Sequence, residues 1–249
     1  MELAKKLLSN LFPSRCILCR QTVGESAVND PLVNKHVEIC SDCFKSLPHN
    51  EPCCMSCALP LAEDIKNETL CGRCIKKSPA FDYCYSLFRY EDKIINLVHQ
   101  LKFAEKISYA RSIGEMLFTK LQAEIQLSKE KPECLLPVPL HKARLRQRGF
   151  NRSIEIARVL AKKLEIPIEY NAVKRMRKTT TQTGLNAKQR WQNIKGAFRV
   201  VAEINVKHVL IIDDVVTTGS TVNELARVLK KNKVERVGVL SIARAPIKS

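Results

Sequence analysis

A chain of 249 residues, 45% hydrophobic and 27% charged, has room for one ordinary domain with a smaller one attached, and its composition is globular rather than disordered or fibrous. Lys and Arg number 42 against 25 Asp and Glu, a net charge of +17. The 8 glycines are so dispersed, no two within five residues, that a G-x-G-x-x-G dinucleotide fingerprint and a G-x-x-x-x-G-K phosphate loop are both excluded; the five histidines contain no i, i+4 pair, which excludes H-E-x-x-H.

Cysteine and charge divide the chain in opposite ways. Nine of the 11 cysteines fall between Cys16 and Cys74. Residues 1–80 carry 10 basic and 9 acidic side chains, whereas residues 141–199 carry 16 basic and 3 acidic. The composition changes near Ser78-Pro79, which predicts a small domain over 1–78 and a larger one over 79–249.

The chain opens with Leu3, Leu7, Leu8 and Leu11 on one face of a helix that Pro13 stops. Lys5, Lys6, Ser9 and Asn10 interrupt it, so it lacks the apolar core of an export signal, and packing against the protein is expected rather than membrane insertion. The expected location is the cytoplasm, a reducing compartment in which clustered cysteines bind metal more readily than they form disulfides.

Four Cys-x-x-Cys pairs follow: Cys16-Cys19, Cys40-Cys43, Cys54-Cys57 and Cys71-Cys74. Two-residue spacing lets one tight knuckle aim two thiolates at an ion, and two knuckles complete a tetrahedral shell. Separations of 20 and 13 residues suit zinc ribbons. The reading is two structural zinc ions held by consecutive pairs; a cross-braced arrangement is the alternative, and Cys53 could replace Cys54 through a three-residue spacing. So few large apolar side chains lie in this region that the metal is expected to supply its folding energy.

From Phe81 onward helical and strand-like patterns alternate. Residues 92–103 and 108–127 show helical spacing, and Cys134 to Val138 is a short buried strand. Ser153 to Leu164 is a helix capped by Asn151; Asn171 to Arg175 and Ala197 to Val201 are strand candidates. Val209 to Ile212 is the clearest strand, followed by a loop, a helix over Val222 to Lys231 and a closing strand over Arg236 to Ala243. The alternation predicts an α/β domain with a mostly parallel sheet flanked by helices.

The most informative stretch is Val209-Leu-Ile-Ile-Asp-Asp-Val-Val-Thr-Thr-Gly-Ser-Thr221. An apolar strand ends in two carboxylates, and small hydroxyl-bearing residues then lead into a helix. Ligands of open α/β sheets bind at strand carboxyl ends, and helix N-termini favour phosphate. Gly219 permits the tight turn; Thr217, Thr218, Ser220 and Thr221 can donate hydroxyl hydrogen bonds. Asp213 and Asp214 suit sugar hydroxyls or a hydrated Mg²⁺.

These thirteen residues resemble, without a gap, the phosphoribosyl-diphosphate signature of the type I phosphoribosyltransferases. The resemblance implies that Asp213 and Asp214 contact ribose hydroxyls and that Thr217 through Thr221 hold the 5′-phosphate. Leu136-Pro-Val-Pro-Leu-His-Lys-Ala-Arg-Leu-Arg-Gln-Arg-Gly-Phe-Asn151 and Arg177-Lys-Thr-Thr-Thr-Gln182, with Arg190, Asn193 and Gly196-Ala-Phe198, are similar to the ComF family of competence-associated proteins, whose members also begin with a double zinc ribbon. That family usually has Gln where this chain has Arg152. The resemblance implies natural transformation, with single-stranded DNA and other DNA-uptake proteins as partners; an active phosphoribosyltransferase of nucleotide metabolism with a small acceptor is the alternative. It also implies a diphosphate loop at Leu140 to Lys142, with His141 in that position, and a closing loop over 177–190 whose Arg177, Lys178 and Arg190 neutralise departing diphosphate.

The basic segment supports a further expectation. Its net +13 exceeds what one diphosphate needs, so Arg144, Arg146, Arg148 and Arg152 are candidate nucleic-acid contacts. Only Phe150, Tyr170, Trp191 and Phe198 are aromatic there, which limits base stacking. His99 is expected to be a structurally satisfied imidazole.

Overall fold

A computed structural model describes residues 15–23, 38–65, 69–101, 107–128, 130–177 and 192–246. The expected helix around Leu3 to Leu11, and Lys178 and Arg190, lie outside these. The elements are α1 (Ser41–Lys45), α2 (Gly72–Lys76), β1 (Tyr83–Arg89), α3 (Asp92–Gln100), α4 (Ile107–Ser128), β2 (Cys134–Pro137), α5 (Lys142–Arg148), α6 (Arg152–Leu164), β3 (Val173–Arg175), β4 (Phe198–Val200), β5 (His208–Val216), α7 (Ser220–Lys231) and β6 (Arg236–Arg244). No helix among the described residues is long and apolar enough to cross a membrane.

Four strands form one parallel sheet in the order β1-β6-β5-β2. Side chains alternate across it, as the period of a strand requires. Leu210, Ile212, Leu240 and Ile242 face one core with α3, α4 and α6, while Val209, Ile211, Val237 and Val239 face a second core with α7. Helices on both faces bury every apolar position of β5 from Val209 to Ile212, which is why that strand reads as a continuous apolar run. Helices α4 and α6 approach so closely at Gly114 that an added Cβ would stand 2.6 Å from the Val159 Cβ, so only glycine fits there.

Three differences from the sequence-based expectation matter for the site. Strand β5 runs past the expected Ile212 through Asp213 and Asp214 to Val216, with Asp213 opposite Ser241 of β6, so the acids at its carboxyl end are held in the sheet register. The segments around 173–175 and 198–200 pair with each other, antiparallel, outside the parallel sheet; Val173 and Phe198 cover the α7-side core from above. Strand β1 and helix α5 were not anticipated. The Asn151 cap is present: its side chain accepts from the Ser153 N–H at 3.1 Å and donates to the Val138 carbonyl at 3.0 Å, tying α6 to the end of β2.

Candidate phosphate site and zinc centres

The carboxyl ends of β2 and β5 open into a cavity of about 500 Å³, within the range of small-molecule sites. Gly219 at φ 78° sits in the left-handed region and serves as the α7 N-cap residue; its carbonyl accepts from the Asn223 N–H at 2.9 Å. Thr218 and Ser220 hydroxyls bond each other at 2.8 Å, and the Ser220 N–H reaches the Thr218 Oγ1 at 3.3 Å. The loop is therefore pre-shaped by its own hydroxyls, with Thr217, Gly219, Ser220 and Thr221 lining this cavity and Thr218 facing a neighbouring one.

The two acids differ. Burial, then the adjacent Asp214 carboxylate, pushes Asp213 well above the usual carboxylate range. Asp214 is ion-paired to the Arg152 Nη1 at 2.6 Å, with both side chains mostly covered. Arg152 also donates to the Val98 carbonyl at 3.3 Å. Arg144, Arg148 and Arg175 line the same cavity. Burial and the neighbouring Arg144 bring Arg175 down to about 10, which leaves it charged at neutral pH. Four guanidiniums against two carboxylates, one of them holding its proton well above the ordinary range, make a site for a multiply charged anion.

Helix α5 explains which arginines converge. Its first turn is capped by the His141 Nδ1, accepting from the Ala143 N–H at 3.3 Å, and it ends at Gly149 with φ 78°. Arg144 and Arg148 are four apart and share the face toward the cavity, whereas Arg146, two residues from each, is turned away and exposed. Of the expected diphosphate segment, Leu140 lines the cavity; His141 acts as a cap and Lys142 is an exposed first-turn residue. Arg177 donates to the carbonyls of Asn193 and Lys195.

Sequence reasoning missed Arg175, Tyr90 and the wall position of His99, all of which line the cavity. It also missed Arg244. This buried side chain donates from Nε to the Cys57 carbonyl at 3.1 Å and from Nη1 to the carbonyls of Val216 and Ala245, both at 3.0 Å, and of Thr217. One guanidinium thus ties a cysteine knuckle to the first residues of the phosphate loop.

The cysteines gather into two tetrads, Cys16-Cys19-Cys40-Cys43 and Cys54-Cys57-Cys71-Cys74, with the four sulfurs of each within 4.8 Å of one another. This is the grouping by consecutive pairs, and it takes Cys54 rather than Cys53. The Cys40 N–H points to the Cys16 Sγ at 3.4 Å, and the Cys71 N–H to the Cys54 Sγ at 3.2 Å, the same bond in each ribbon. Burial alone would raise these two thiols, but such N–H donors outweigh it and bring Cys16 and Cys54 to about 7. Four converging sulfurs, with one thiolate already favoured, fit a structural zinc that leaves no open position.

A parallel sheet flanked by helices, with a threonine-rich phosphate loop at one strand end and two cysteine tetrads before it, defines a phosphoribosyltransferase-type domain joined to a double zinc ribbon. Residues 151–249 match the phosphoribosyl transferase domain family, and residues 7–75 the double zinc ribbon domain family. The chain is 33% identical over 245 residues to competence protein F of Haemophilus influenzae, covering 96% of this chain and 100% of the relative. It is 34% identical over 233 residues to the DNA utilization protein YhgH of Escherichia coli K12, covering 93% and 97%. To competence protein ComFC of Streptococcus pneumoniae it is 24% identical over 244 residues, covering 92% and 100%. The chain belongs to the ComF/YhgH family of competence proteins.

Proposed function

We propose that this protein handles incoming DNA during competence, binding phosphoribosyl diphosphate with Mg²⁺ in the β5 cavity and single-stranded DNA on the arginine-rich surface beside it. The observation that carries the reading is the convergence of Arg144, Arg148, Arg152 and Arg175 with Asp213 and Asp214 around a loop of backbone N–H groups and hydroxyls. A phosphorylated sugar needs both signs of charge: donors for its phosphates and acceptors for its ribose hydroxyls. Thr217 to Thr221 hold the 5′-phosphate at the start of α7, and the carboxylates of Asp213 and Asp214 take the hydroxyls. Mg²⁺ is ordinarily held by one or two carboxylates together with substrate phosphates, a donor set these acids fit; bound there, it would neutralise diphosphate charge.

For the ligand to take both acids, Arg152 releases Asp214 and turns to the incoming phosphates. The exposed Arg146, with Arg144 and Arg148, extends the positive field from the cavity to the surface, where a single strand would be drawn by its phosphates. The names of the relatives favour DNA utilisation over nucleotide metabolism, and cytoplasmic action is part of the same reading.

The test is calorimetric titration of phosphoribosyl diphosphate and Mg²⁺ into the wild type and the double variant Asp213→Ala, Asp214→Ala. Binding is expected in the first and lost in the second. Equal binding to both would remove the site assignment.

A further inference from the structure

A second cavity, of about 390 Å³, lies on the other side of the phosphate loop, between that loop and the second zinc ribbon. Arg73, Lys76 and Lys77 of the ribbon border it, and Arg244 forms part of its wall. None of the described residues lining it is acidic. Among the described residues Arg244 has no carboxylate partner and bonds only to carbonyls, so the negative charge nearest to it is that of the Cys57 and Cys74 thiolates of the second tetrad. Four cations against a tetrathiolate zinc of net charge about −2 leave the concavity positive, which suits an anion.

Leu59, Pro79, Phe81 and Val216 supply the apolar part of the wall, beside the polar Ser78 and Asn223. Thr218 and Ser220 line it on the loop side, and Val216, Gly219 and Ser220 line both cavities. The two spaces therefore adjoin across the loop. An occupant of the second one pairs an anionic group with a flat apolar body, which is the chemistry of a nucleoside phosphate, free or within a strand.

We propose that this cavity binds one nucleotide unit of a single DNA strand, its phosphate on Arg73, Lys76 and Lys77 and its base against Leu59, Phe81 and Val216. The proposal rests on single-stranded DNA being a ligand of the protein. It assigns the second ribbon a contact role that its almost neutral overall charge conceals, because none of the described acids of that region lines this cavity. The strand then runs from the ribbon, past the phosphate loop, to the Arg144 surface.

Fluorescence anisotropy of a labelled oligothymidylate and calorimetry of deoxythymidine 5′-monophosphate, each on the full chain, test it with the triple variant Arg73→Ala, Lys76→Ala, Lys77→Ala. Oligothymidylate affinity is expected to fall about tenfold or more, and its logarithmic salt slope by about 2 to 3, with monophosphate binding lost in parallel. Zinc content and phosphoribosyl-diphosphate binding stay at wild-type levels. An oligonucleotide held equally by both proteins, with the same salt slope, overturns the cavity assignment and leaves the strand on the Arg144 side. A wild type that takes the monophosphate but never the oligonucleotide overturns the single-strand reading and leaves a free-nucleotide site. Should the triple variant lose zinc, Lys76→Glu with Lys77→Glu, both exposed side chains, gives the same readout without touching the residue beside Cys74.

Discussion

The two zinc ribbons share a local design and differ in what they lean on. In the first, Cys16, Ile39, Phe44 and Leu47 belong to the main hydrophobic core, with Phe44 edge-on to Phe88 at 6.4 Å. The Ile17 carbonyl accepts from the Tyr109 hydroxyl at 2.9 Å, and the Glu38 N–H donates to the Ser112 Oγ at 3.0 Å, so α4 holds that ribbon directly. The second ribbon has a small core of its own, Cys54, Leu59, Cys71 and Cys74, three-quarters of it metal-binding sulfur. Its connection to the domain includes Arg244, at the phosphate loop. Burial of apolar area holds the first ribbon in place, whereas the second relies more on its metal, with Ala58 in the α7-side core and Arg244 among its links to the domain.

Metal removal should separate them most widely. Structural zinc contributes about 10–16 kcal/mol of apparent binding energy in small zinc domains, far more than Leu59 could replace. Chelation is expected to abolish hydrogen-exchange protection over 53–77 while 38–47 keeps a substantial part of its own, since Ile39, Phe44 and Leu47 stay buried against β1 and α3. Equal loss in both ribbons would break the comparison and make zinc equally dominant in each.

The next effect isolates the guanidinium link. Arg244→Met removes donors from four carbonyls, of which Val216 and Thr217 begin the phosphate loop. Leaving buried carbonyls unpaired predicts a loss of about 3 kcal/mol in urea denaturation. The accompanying signature is a weaker grip on inorganic phosphate, read by calorimetry under conditions where the variant is folded. A variant equally destabilised but with wild-type phosphate affinity would show that Arg244 secures the fold and not the loop.

Legibility in the sequence followed the kind of signal each feature leaves. The cysteine tetrads and the phosphate loop are local in the chain: two-residue spacings in one case, an apolar run followed by acids and hydroxyls in the other. Helix α5 left no apolar periodicity because none of its residues is buried; its period is carried by Arg144 and Arg148, which read as part of a charge run. Strand β1 lies at the sheet edge and mixes Cys84, Ser86 and aromatics, so neither a continuous apolar run nor a clean alternation marks it. Arg175 and Arg244 acquire their positions from pairings with β4 and β6's neighbours, across long separations in sequence, and no local pattern encodes that.

The smallest expected effect lies on the second ribbon's side of the sheet, at Glu224 of α7. Its carboxylate is buried and accepts from the Gly196 N–H at 2.7 Å and from Arg227 at 2.6 and 2.8 Å, while the preceding residue, Asn223, accepts from the Ala80 N–H at 2.7 Å. Burial alone would raise its pKa, but the hydrogen bonds from Arg227 and Gly196 outweigh burial and hold it below the usual glutamate range. The unfolded chain therefore takes up this proton at a higher pH than the folded one. The stabilisation is complete above the unfolded value of about 4.3 and is lost as pH falls through the folded value. Because Arg227 is 40% exposed, Glu224→Gln is expected to cost only about 1–2 kcal/mol at neutral pH. Its urea midpoint should converge on that of the wild type as the acid limit is approached. A constant difference between the two proteins down to low pH would mean that the carboxylate's charge is not what anchors Gly196, and the α7 face would then resemble the first ribbon's side, held by packing.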